Sequence, residues 1–162
     1  MKHIPNWPAH WRWFAAALVL VGLTGYAAGL VFVYHNTGLA PDGVLDHYHG
    51  DEEAMKFGKS TGEMLEIVHT HLLGMGVLFF AVGGLFSFST AGERLKRILM
   101  VETMLSLLTT FGGLWLVASG QRAWLYLVYP SSILMVIGYT AMSAVVLWNC
   151  LRPPPREIHP FS

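Results

Sequence analysis

Four long apolar stretches dominate this sequence, and they leave very few folds open. A helix needs about 20 mostly apolar residues to cross ~30 Å of hydrocarbon. The sequence predicts four such spans, at residues 13–34, 62–89, 97–118 and 124–149, with an outer segment of 35–61 joining the first two. In lipid, backbone N–H and C=O groups must be satisfied within the spanning structure, so only helices or a closed barrel qualify. The alternating apolar strands of a barrel are absent. The expected fold is therefore all-α: a single-domain integral membrane four-helix bundle covering 1–162. Composition agrees, because charged residues make up 12% and mean hydropathy is +0.48, whereas a soluble domain is about 25% charged. A formal net charge of zero offers no field to recruit nucleic acid.

The first stretch resembles a secretion signal in its flanks, with Lys2 and Arg12 before it and small residues near Ala27 and Ala28. It is too long for an ordinary signal core and reads as a retained span. Basic residues beside the spans set the orientation. Lys2, Arg12, Arg94, Lys96, Arg97, Arg152 and Arg156 lie on one side; Lys56, Lys59 and Arg122 lie on the other. Both termini are thus expected in the cytoplasm and the 35–61 segment outside. The setting is a multi-pass protein of the bacterial cytoplasmic (inner) membrane.

Within the outer segment, Pro41-Asp42-Gly43 reads as a turn. Ser60-Thr61-Gly62-Glu63 reads as a capping box opening the second span. The Pro153-Pro154-Pro155 run is an extended stop after the fourth.

Chemistry is limited by a single cysteine, Cys150. An internal disulfide, a C-x-x-C-H haem attachment and a cysteine-rich iron–sulfur or zinc site are all excluded. Cys150 itself reads as an interfacial apolar residue. Any bound ion or cofactor must use His, Met, Asp, Glu or backbone.

The histidines are unevenly placed. His3, His10 and His159 fall on cytoplasmic tails and read as solvated, whereas His35, His47, His49, His69 and His71 all fall at the outer face. Ionisable groups at membrane depth are costly and mark functional sites. His69 and His71 are two positions apart, so they point ~200° apart on an unbroken helix and cannot share one small ion. Two stripes result. Glu63, Glu66, His69, Thr70 and Leu73 include Glu66-x-x-His69, the carboxylate–imidazole spacing of di-iron bundles. Met64, His71, Met75 and Leu78 combine imidazole with thioether, which suits copper or a haem axial position. The third and fourth spans offer no outer carboxylate or histidine, which disfavours a complete di-iron site. Glu102 lies toward the inner end of the third span.

Three ligand schemes fit this pattern. One b-type haem on the outer side would use His35 with His69 or His71, in a slot opened by Gly25, Gly29 and Gly74. A transition-metal ion would use His47 and His49, folded over Glu66, His69 and His71. A His–Glu pair at the membrane edge could instead take up protons from a quinol. The bland alternatives are histidines that seal helix ends on backbone carbonyls, and glycines that allow close helix packing.

The run Gly43-Val44-Leu45-Asp46-His47-Tyr48-His49-Gly50-Asp51-Glu52, followed by His69-Thr70-His71, resembles a group of small four-helix bacterial inner-membrane proteins. They share an outer H-Y-x-G-(D/N)-E run and an H-T-H run opening the second helix. The likeness covers about residues 40–90 and implies a respiratory or other electron-transfer setting. His47, Gly50, Glu52, His69 and His71 are the matching positions, whereas His35 and His49 fall outside the shared pattern.

The leading expectation is a membrane subunit that binds a haem or metal ion at its outer face. It would serve electron transfer within a larger respiratory or photosynthetic complex, or as a homo-oligomer, with quinone as a candidate partner. It would more readily be a non-catalytic subunit of an oxidoreductase than an enzyme in its own right. The alternatives are a cofactor-free structural accessory subunit and a periplasm-facing copper-handling protein.

Overall fold

The computed structural model describes residues 3–51 and 55–152. Four long helices account for most of it: α1 (Ala9–Thr37), α3 (Thr61–Ser87), α4 (Glu93–Ala118) and α5 (Leu125–Leu151). Each is long and apolar enough to cross a membrane. At 1.5 Å per residue they reach roughly 40 Å, so each projects beyond a ~30 Å hydrocarbon layer.

Their ends follow from local chemistry. Ser60 caps α3 as the sequence predicts: its hydroxyl accepts from Glu63 N–H while the Glu63 carboxylate accepts from Ser60 N–H at 2.8 Å. α1 ends at Gly38, which takes a left-handed φ of 59° and bonds back to the Tyr34 carbonyl. α1 is longer at both ends than its apolar stretch, since polar residues continue a helix once it has left the lipid. A 3-10 turn, Arg122–Trp124, leads into α5, which carries Pro130 near its start.

The outer segment departs from its expected description. Pro41-Asp42-Gly43 is not a turn but the first turn of a short helix, α2 (Pro41–Tyr48). The same residues fit both: proline at N1 lacks only an N–H that a helix leaves unpaired anyway, and Asp42 suits the positive helix N-terminus. A two-residue ribbon follows, β1 (Gly50–Asp51) antiparallel to β2 (Lys56–Phe57). Arg122 pairs with Asp42 and the Tyr129 hydroxyl donates to the Leu39 carbonyl at 3.0 Å, which ties this cap to the chain around the start of α5, while Lys56 bridges to Asp46 at 2.8 Å within the cap.

α5 packs against all three other spans, and its tightest partner is α4. The core runs through Phe79, Val82 and Phe86 of α3, Leu107, Phe111 and Val117 of α4, and Met135, Tyr139, Met142 and Val146 of α5. The most apolar window of α1 is only 17% buried and that of α3 only 11%, against 39% and 44% for the last two spans. From Ala27 to Asn36 every residue of α1 is exposed. The outer halves of α1 and α3 therefore present bare faces to whatever surrounds the bundle.

At the inner end the chain before α1 folds back as a clasp. Ile4 is fully buried and its N–H donates to the Phe88 carbonyl at 3.0 Å. Arg12 donates to the carbonyls of Cys150 and Arg152. His3, expected to be merely solvated, is exposed but also donates from Nδ1 to the Ser89 carbonyl at 3.0 Å. Lys2, Arg156, His159, the triple proline, and Glu52 of the outer motif lie outside the described residues.

Candidate functional site

The two stripes of α3 separate cleanly. Met64 is buried, and His71, Met75 and Leu78 are half-buried, so the imidazole–thioether stripe is the inward face. Glu63, Glu66, His69, Thr70 and Leu73 are all exposed, so the carboxylate–imidazole stripe faces outward. The ~200° between His69 and His71 thus sends one ring into the bundle and the other to its surface.

His71 is the more constrained of the two. Its ring stacks on Phe111 of α4, with centroids 4.4 Å apart and planes inclined by 26°. Its Nδ1 lies 2.7 Å from the Ile67 carbonyl oxygen, one turn earlier. A carbonyl can only accept, so Nδ1 carries a proton, and in the neutral ring Nε2 is then the atom with the lone pair.

His49 has the same tautomer for a different reason. Its Nδ1 donates to the Ala118 carbonyl at 3.0 Å, and its ring lies beside Gly120. It closes one of the carbonyls left open at the end of α4. Sequence reasoning had grouped it with the metal ligands. Its true neighbour, more than sixty residues on, left no local signal in the chain.

His47 is half-buried in α2, edge-on to Tyr48 with centroids 4.9 Å apart. Burial, and then the Lys59 ammonium, hold its pKa below the ordinary 6.5. Burial likewise pushes the Tyr48 phenol above its ordinary value. His47 lines a small polar pocket of about 380 Å³ with Asn36, Asp46 and Lys59. His35 is exposed at the end of α1, its ring against Tyr34.

The proposed ligands are therefore not gathered into one sphere. Among the described residues, no group of three or more His, Cys, Asp or Glu side chains is placed to hold a metal ion. His71 with its free Nε2, and His69 with Glu66 on the open face, each have coordination capacity to spare.

A model of a transmembrane helical domain family matches residues 38–157. That is most of the chain, and the protein belongs to this family. The matched stretch begins where α1 ends and takes in the outer cap with α3, α4 and α5. No curated protein and no solved structure matches the chain.

Proposed function

We propose that this multi-pass membrane protein is a bacterial inner-membrane subunit that holds one haem or transition-metal ion at its outer side, for electron transfer in a larger complex. The carrying observation is His71. Ligating histidines almost always donate their second ring N–H to a carbonyl or carboxylate, which fixes the tautomer and aims the other nitrogen. His71 is held in that way by Ile67, and its ring is clamped by Phe111.

One copy of the chain supplies His71 but no converging set around it, so the remaining ligands belong to a second polypeptide or a second copy. The open face supports that arrangement. Polar groups at membrane depth face protein or a water-filled cavity rather than lipid, yet Glu66, His69 and Thr70 are exposed in the isolated chain. A neighbour seated there would cover them and could share His69 or His35.

The cofactor-free accessory reading rests on this same open face, and the two are separated by spectroscopy and metal analysis of the complex captured through a tag on this chain. A reducible haem spectrum, or a stoichiometric transition metal, is expected, and His71→Ala should abolish it. A complex that contains neither, or that keeps its full complement in both His69→Ala and His71→Ala, overturns the ligand role and leaves a structural subunit.

A further inference from the structure

Glu102, toward the inner end of the third span, anchors a second polar site that runs along the bundle past its middle. Glu102 lies on α4 about 7.5 Å deeper in the membrane than Arg97, at 1.5 Å per residue. A lone carboxyl group at such a depth marks function rather than packing. The side chain is half-buried and lines a groove of about 620 Å³ between α4 and α5. Ser106 donates its hydroxyl to Glu102 Oε1. Gly138 of α5 makes room on the other side, since a Cβ there would stand 3.1 Å from Glu102 Oε2.

The groove opens toward lipid. Val101 is 53% exposed, Leu105 57% and Leu134 46%, and all three line it. Its polar groups form two stations. Glu102 and Ser106 make the inner one; Thr109 and Ser131 make the outer one, about one helical turn (~5 Å) beyond Ser106. Thr109 gives its proton to the Leu105 carbonyl and keeps acceptor capacity; Ser131 gives its own to the Val128 carbonyl and accepts from Thr110, which leaves its oxygen one further lone pair.

We infer that this groove binds the head of a membrane-dissolved quinol: a flat ring with hydroxyls at opposite ends, one on the Glu102–Ser106 station and the other on the Thr109–Ser131 station. Competing lipids fit worse. A phospholipid places its phosphate near Arg97 and turns its headgroup toward water, away from Glu102. A fatty acid has both its oxygens on one carbon and reaches only one station. A long-chain alcohol has one hydroxyl for two stations. The site is independent of the histidine reading: no histidine lines the groove, although its outer station reaches the level of Phe111, on which His71 stacks from α3.

The test uses the full chain in lipid nanodiscs, titrated with a short-chain benzoquinol kept reduced and followed by saturation-transfer NMR against empty nanodiscs. Saturable binding is expected. Glu102→Gln should weaken it about tenfold, as loss of one hydrogen bond would. Leu134→Trp, a lipid-facing change that fills the groove, should abolish it, and Val77→Trp, a lipid-facing change on α3 away from the groove, should leave it unchanged. Helical circular dichroism verifies that each variant is folded. Three outcomes overturn the inference: uptake no greater than in empty nanodiscs, equal binding by Glu102→Gln and Leu134→Trp, or saturation by decanol at the same concentration.

Discussion

His47 shows how one side chain can tie the outer cap to pH. Its neutral imidazole suits a half-buried position near the Lys59 ammonium, which is why its pKa is held below 6.5. The unfolded chain takes up a proton near 6.5 that the folded cap refuses until lower pH. The stability contributed by this site is thus complete above 6.5 and is lost as pH falls through the depressed folded value. Imidazole NMR should find His47 titrating below 6.5, and Lys59→Gln should move it back upward; a value at or above 6.5 in the folded chain contradicts the packing described. Ser60 offers a second check at this scale. Its hydroxyl and backbone both engage the Glu63 side chain, so Ser60→Ala should loosen the first turn of α3 by about 1 kcal/mol. Faster hydrogen exchange confined to the amides of residues 61–64 is the expected sign.

Among the elements, α4 and α5 form the rigid pair of the bundle. Thr110 donates to Ser131 across their interface at 2.9 Å, and Gly113 admits Val128 so closely that a Cβ would stand 2.6 Å from Val128 Cγ2. Val128 is β-branched and cannot swing aside. Gly113→Ala should therefore cost about 1–3 kcal/mol in detergent unfolding, and Val128→Ala in the same chain should recover part of it. Gly25 and Gly29 of α1 present the opposite case, with open space where a Cβ would go. Alanine at either should therefore stabilise the isolated chain by about 0.5–1 kcal/mol. The spans were legible in the sequence because uninterrupted apolar length has one physical meaning in lipid. The Ser60 box was legible because both its partners lie within four residues. The cap was not: Pro41-Asp42-Gly43 suits a turn and a helix start equally, and what selects the helix is Arg122 and Tyr129, far along the chain. The groove was missed for a related reason. Glu102 was visible, and Thr109 shares its helix face two turns on, but Gly138 and Ser131 come alongside only when α4 and α5 pack antiparallel.

At the scale of the whole molecule, four spans put both termini on one face, and charge decides which face that is. The outer cations are all neutralised by acids: Lys56 by Asp46, Lys59 by Glu63 and Arg122 by Asp42. The inner ones are spent differently. Arg12 grips carbonyls, Arg152 lies over the Trp148 ring at 4.9 Å, and among the described inner bases Lys96 pairs with Glu93. Seven Lys and Arg residues flank the spans on the inner side against three on the outer, and that excess of basic residues, rather than net charge, is the asymmetry that retains a segment in the cytoplasm. The histidine proposal depends on this polarity, because it sets His71 toward the outside and Glu102 toward the inside. The single cysteine makes it testable, since Cys150 is buried and can be removed as Cys150→Ala. In that background Phe57→Cys places a thiol on a side chain that is 95% exposed in the cap, and Thr90→Cys places one at the exposed α3–α4 turn. A membrane-impermeant maleimide on intact cells should label the first and spare the second until the membrane is opened. Replacing Arg94 and Arg97 with Gln should weaken that preference, because the α3–α4 turn then loses two of its three cations. Labelling of Thr90→Cys in intact cells would invert the bundle and would move the histidine site to the cytoplasmic side.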